Sequence, residues 1–70
     1  MDRKIVIGSI TYAQKARRAL APLGIRARLI KAEALPAEGC VYGIEIAEEN
    51  TLTAISELRR LGIDYRFLSP

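Results

Sequence analysis

The sequence predicts an α+β domain with the element order βαββαβ, on the evidence of an internal repeat and of strand and helix signals within each half. Residues 20–30 align with residues 58–68, so that Leu20 falls on Leu58, an offset of 38 positions. In both copies an apolar helix end is followed by a glycine, Gly24 or Gly62, and then by a strand.

The same offset aligns residues 5–7 with residues 43–45, so each half also begins with a strand. Two βαβ halves joined by right-handed crossovers give a four-stranded antiparallel sheet in the order 4-1-3-2, with two helices on one face. This arrangement is the ferredoxin-like sandwich. Seventy residues, half of them apolar, can build one core, so we expect residues 1–70 to form a single soluble domain.

Local signals place the individual elements. Helix one follows a strand over 4–8, with Thr11 and Gln14 at the spacing of a capping box. Because Pro22 cannot donate a backbone N–H, this helix should end or distort near Ala21. Its apolar stripe comprises Ala13, Ala16, Leu20 and Leu23. The other predicted elements are strands over 25–31, 41–47 and 63–68, a loop over 32–39, and a second helix from an Asn50 N-cap to Leu61.

Alternation along the strands predicts which side chains face the helices. In strand three this set comprises Cys40, Tyr42, Ile44 and Ile46. The opposite, open face of the sheet carries charged residues, namely Arg26, Arg28, Arg66, Glu45 and Asp64. We interpret this face as solvated, with partial charge pairing. A sheet-to-sheet dimer and an anion-binding face are the alternatives.

Composition excludes several classes of function. The single cysteine cannot form an internal disulfide, and one Cys without any His supplies no metal motif. The absence of His also removes the usual general base at neutral pH, so we expect no enzyme activity, no metal and no cofactor. A formal charge of +3 permits an anionic partner without requiring one.

Further sequence features concern location and partners. The apolar run in residues 1–10 is too short for a signal peptide, and no segment approaches a membrane span. A chain of this size without disulfides is typical of a reducing compartment, so we expect a cytoplasmic protein without a membrane partner. Nucleic-acid binding is disfavoured because the outward positions of the central strands lack the aromatic residues that RNA-binding sheets of this fold need.

Cys40 is the most chemically distinctive side chain. In the predicted strand order, the start of strand three lies beside the end of strand one, which places Cys40 near Gly8, Ser9 and the start of helix one. The unpaired N–H groups of a helix N-terminus favour a thiolate over a thiol. Without a His base or a second cysteine, such a thiol suits covalent carriage of a soft atom better than hydrolysis. The alternative is an inert cysteine buried on an apolar strand face.

Several other residues are expected around this thiol. Lys15 and Lys31 would add positive charge, and glycines would leave the backbone open to another group. The ligand-binding candidates are Gly8, Ser9, Thr11, Tyr12, Lys15, Lys31, Gly39 and Gly43.

The short first strand, residues 39–46 (Gly-Cys-Val-Tyr-Gly-Ile-Glu-Ile) and the closing Leu-Gly-Ile at 61–63 resemble the Se/S carrier-like proteins, a family of short bacterial chains. The resemblance covers nearly the whole chain, and its most specific element is the Gly-Cys…Gly block. It implies that Cys40 holds sulfur or selenium and that Gly39 and Gly43 shape its loop.

The leading hypothesis is therefore a non-enzymatic carrier whose Cys40 takes sulfur or selenium from a donor protein, as a persulfide or its selenium analogue, and passes it to an acceptor. The alternative hypothesis is a regulatory or structural interaction module that forms a homodimer or binds a small ligand.

Overall fold

Residues 2–33 and 40–67 are described by a computed structural model of the chain, with side chains for all of them except residues 32, 33 and 40. They form four strands and two α-helices, with short 3₁₀ turns after the first helix and before the second. The elements are β1 Asp2–Gly8, α1 Ile10–Leu20, β2 Arg28–Glu33, β3 Cys40–Ala47, α2 Thr51–Arg60 and β4 Arg66–Phe67.

The strands form one sheet in the order β2-β3-β1-β4, and every neighbouring pair is antiparallel. Read from the other edge, this is the predicted order 4-1-3-2, so the ferredoxin-like α+β fold is confirmed. The two strands that open the halves, β1 and β3, lie at the centre, and β2 and β4 form the edges.

The core lies between the helices and one face of this sheet. Ile5 of β1 and Ile44 and Ile46 of β3 are almost fully buried there, which confirms the inward positions predicted for these two residues of β3. Tyr42, predicted on the same face, is partly buried, and the Cys40 side chain lies outside the described residues. The helices contribute Ala13, Ala16 and Leu20 from α1, and Ala54 and Leu58 from α2. Leu23, expected on the same stripe, is half exposed, because the helix gives way to a 3₁₀ turn at Ala21 as Pro22 predicts.

The internal repeat is confirmed most clearly at the helix ends. The Gly24 and Gly62 backbones adopt left-handed φ angles of 78° and 71°. In the first half the Ile25 N–H donates to the Leu20 carbonyl at 3.2 Å, and in the second the Ile63 N–H donates to the Leu58 carbonyl at 2.9 Å. Both helices therefore end in the same Schellman-type cap, which buries the isoleucine that follows it.

The start of α1 differs from the prediction. The N-cap residue is Ser9, whose Oγ accepts a hydrogen bond from the Tyr12 N–H at 3.2 Å. Thr11 is an exposed residue of the first helical turn, so the capping box assigned to Thr11 and Gln14 is wrong. The extended backbone of Ser9 is the conformation that an N-cap needs, and it precedes Thr11 in the chain.

Replacing Ser9 by alanine is expected to lower the free energy of unfolding by about 1 kcal/mol, because the Tyr12 N–H loses its acceptor. Urea denaturation measures this change. The matched control is Thr11→Ala, which removes a hydroxyl two residues further along the chain and should lower the free energy of unfolding by less. An equal loss in the two variants would contradict Ser9 as the cap.

The start of β2 also differs from the prediction. The ladder with β3 begins at Arg28, three residues after the expected start at Ile25, because the Ile25 N–H belongs to the helix cap. In α2, Asn50 is the N-cap residue as predicted, but its side chain makes no capping hydrogen bond. Instead, the Thr51 hydroxyl donates to the Glu48 carbonyl at 2.6 Å across the preceding 3₁₀ turn.

Gly43 lies at the centre of the sheet, where β1 approaches β3 closely. It pairs with Val6 of β1 and Ile30 of β2. A Cβ atom at this position would lie 2.2 Å from the carbonyl oxygen of Ile5. The next pair along is Gly8 with Tyr42, so Ile7 forms an irregularity in the β1 ladder.

None of the described helices is long and apolar enough to cross a membrane.

Candidate functional site

Cys40 is the first residue of β3, where its backbone pairs with Glu33 of β2. Two residues further along β3, Tyr42 pairs with Gly8, the last residue of β1. The register therefore places the Cys40 backbone at the end of the sheet where β1 leads into α1, as the topology predicts. Gly39 and the Cys40 side chain lie outside the described residues.

The β1–α1 junction consists of Gly8 and Ser9. Gly8 has a φ of 118°, a backbone conformation that favours glycine and turns the chain from strand to helix. The Ser9 hydroxyl oxygen is occupied by the Tyr12 N–H, but its hydrogen can still be donated outward. The first backbone bond of α1 runs from the Ala13 N–H to the Ser9 carbonyl, so the N–H groups of Ile10 and Thr11 precede the helical ladder.

Lys31, Tyr42 and Gly8 form one row across β2, β3 and β1. Lys31 is exposed, and the paired Tyr42 is half-buried on the same side of the sheet. This row lies two residues from Cys40 along β3, which is about 7 Å of strand. Lys15 and Thr11 are exposed on α1. The structure thus brings Gly8, Ser9 and Lys31 to the sheet end that holds the Cys40 backbone.

Tyr12 lies on a different side of this junction. Its half-exposed ring lines a cleft of about 200 Å³ together with Ile7 and residues 62–64 of the α2–β4 turn. That turn leads into β4, which flanks β1 on the side away from β3. Tyr12 is therefore separated by β1 from the strand that carries Cys40.

Gly43 occupies a strand position instead of the loop position that the family resemblance implies. It is buried in the middle of β3, and the missing side chain leaves room for the Ile5 carbonyl. Its role in the structure is the close pairing of the two central strands.

A second feature was not expected from the sequence. An open groove of about 770 Å³ runs between the C-terminal end of α1 and the edge strand β2. We call it the arginine groove; its lining residues are Arg17, Ala21, Gly24, Ile25, Arg26, Ala27, Arg28 and Leu29. The sequence assigned Arg17 to a helix and Arg26 and Arg28 to the open sheet face. The turn through Gly24 brings the end of α1 and the start of β2 together. The groove between them results from tertiary packing, so the sequence pattern did not predict it.

Surface ion pairs account for part of the charge. Arg28 of β2 is paired with Glu45 of β3, its cross-strand neighbour, as the interpretation of a partly paired open face predicts. On α2, a hydrogen bond from Arg60 lowers the pKa of Glu57 from its ordinary value, and the same bond raises the pKa of Arg60. The pair therefore contributes its full stabilisation of α2 at pH values above the ordinary pKa of Glu57. This contribution is lost as the pH falls through the lowered pKa.

Within the described ranges, no group of three or more His, Cys, Asp or Glu residues could hold a metal ion. Comparisons with protein-family models, with curated proteins and with solved structures returned no match.

Proposed function

We propose that the protein is a carrier that holds a sulfur or selenium atom on Cys40. The observation that carries the proposal is the strand register, which sets the sole cysteine at the sheet end where α1 begins. The resemblance of residues 39–46 to the Se/S carrier-like proteins supports the same residue. The role requires a reducing compartment, so we propose a cytoplasmic location.

The transfer reaction needs one nucleophile and no further oxidant or reductant. The Cys40 thiolate attacks the outer sulfur of a donor persulfide, the donor S–S bond breaks, and the donor cysteine leaves as a thiolate. The new Cys40 persulfide later yields its outer sulfur to an acceptor nucleophile, and Cys40 leaves as the thiolate. Selenium would follow the same steps through a sulfur–selenium bond.

The surroundings suit an anion at this position. The N–H groups of Ile10 and Thr11 lie at the positive end of the α1 dipole, and the Ser9 hydroxyl can donate. Lys31 lies in β2 at the same end of the sheet, and its positive charge would add to this field. These groups would favour the thiolate and the persulfide anion over their protonated forms.

The proposal predicts that Cys40 has a thiol pKa below the free value of about 8.5. The rate of iodoacetamide alkylation against pH measures it. The matched control is Cys40→Ser with Lys4→Cys, which moves the thiol to an exposed mid-strand position of β1 and should titrate near the free value. After exposure to inorganic polysulfide, mass spectrometry should find one extra sulfur atom on the native protein and far less on the control. Equal pKa values and equal sulfur uptake in the two proteins would overturn the proposal.

A second candidate function is an interaction module, and the observation that favours it is the open arginine groove. Cys40→Ser separates the two functions in the native host. The carrier would lose its role with this substitution, whereas an interaction module would retain its partners and its phenotype.

A further inference from the structure

We infer that the arginine groove binds an acidic, extended segment of a partner protein. The groove is formed by the end of α1, the turn through Gly24 and the first residues of the β2 edge. This inference goes beyond the proposed carrier function and does not depend on it.

The charge of the groove determines the class of partner. Its lining includes three arginines, Arg17, Arg26 and Arg28, and no acidic residue. Arg17 and Arg26 are exposed and have no ion pair within the described part of the chain, whereas Arg28 pairs with Glu45. The guanidinium groups of Arg17 and Arg26 are therefore available to bind carboxylates through paired hydrogen bonds.

The shape of the groove favours an extended peptide over a small anion or a nucleic acid. The other lining residues are apolar or glycine, and a volume of about 770 Å³ far exceeds that of one phosphate. No aromatic side chain lines it, so it offers no platform on which a base could stack. In a peptide of alternating acidic and apolar residues, the acidic side chains would pair with the arginines and the apolar ones would contact the apolar lining of the groove.

The backbone beside the groove suits strand addition. β2 is an edge strand, and its ladder with β3 begins only at Arg28. Arg26 and Ala27 precede that ladder, so their backbone groups border the groove without a strand partner among the described residues. An extended segment can bind such an edge through its own main chain.

The groove is distant from the Cys40 backbone. Arg28 pairs with Glu45, which lies five residues from Cys40 along β3, or about 17 Å of strand. A partner in the groove would therefore leave the Cys40 end of the sheet uncovered.

Fluorescence anisotropy tests the inference with a labelled peptide of alternating Glu and Val, with a Lys–Val peptide and an oligouridine RNA as comparison probes. The Glu–Val peptide should bind best, and salt should weaken its binding. Arg17→Gln with Arg26→Gln should weaken it about tenfold. Arg18→Gln with Arg59→Gln removes the same charge from exposed helix positions outside the groove and should weaken it less than about twofold.

Cys40→Ser should leave the peptide affinity unchanged, which separates this result from that of the carrier proposal. Circular dichroism of each variant confirms the fold before binding is compared. Equal weakening by the two arginine pairs, preferential binding of the RNA, or no binding of the Glu–Val peptide would each overturn the inference.

Discussion

Replacing Gly43 by alanine is expected to lower the free energy of unfolding by about 3 kcal/mol, the upper end of the range for overpacked sites. The new Cβ atom would lie 2.2 Å from the Ile5 carbonyl oxygen and 3.0 Å from both the Ile5 carbonyl carbon and the Val6 Cα. All three are backbone atoms, so no side-chain rotation can relieve the contact. The central strands β1 and β3 would have to separate, and the ladder that joins the two halves would weaken.

Urea denaturation followed by circular dichroism measures this loss. Gly62→Ala is the matched control, because a Cβ atom there meets nothing within 4 Å and the cost comes only from the left-handed φ of 71°. That strain should cost about 1 kcal/mol. A Gly43→Ala protein as stable as Gly62→Ala would show that β1 and β3 are not in such close contact.

Leu58→Ala is expected to lower the free energy of unfolding by about 3 kcal/mol, and Leu20→Ala by a similar amount. Both leucines are fully buried, and they occupy equivalent positions in the two halves. Each also supplies the carbonyl that closes the cap of its helix, but alanine keeps that backbone group. The loss therefore comes from the cavity left in the shared core.

Thermal and urea unfolding of the two variants measure the effect. Leu52→Ala, on the same helix as Leu58 but 82% exposed, provides the control and should change stability by less than about 0.5 kcal/mol. A small loss for either buried leucine, comparable to that for Leu52, would contradict the common core.

The sequence predicted the architecture because its signals were duplicated. Two copies of a helix end, a glycine and a strand specify four strands and two helices, and alternation assigned Ile44 and Ile46 to the core. Element starts were predicted less well. Ser9 and Thr11 are both good capping residues, and the choice between them depends on the residue at which β1 ends. The strand β2 begins later than predicted because the Ile25 N–H is hydrogen-bonded to the Leu20 carbonyl in the cap of α1.

The candidate site was predicted where it depends on strand topology. Antiparallel pairing of β1 and β3 was enough to place Gly8 and Ser9 at the Cys40 end of the sheet. The position of Tyr12 was not predicted, because it depends on the direction in which the residue projects from α1, which is toward residues 62–64. The arginine groove was missed because Arg17 and Arg26 come to line one groove only when α1 packs beside the segment that leads into β2.

The duplicated halves give the domain a pseudo-twofold axis between β1 and β3, and this axis assigns Cys40 a counterpart. Asp2 opens β1 as Cys40 opens β3, and the two positions differ by the repeat offset of 38. Asp2 pairs with Ala47, the residue that leads into the turn before α2. The Asp2 backbone thus lies at the end of the sheet where the chain turns toward α2. On the proposed function, Cys40 is its rotational counterpart at the end where α1 begins.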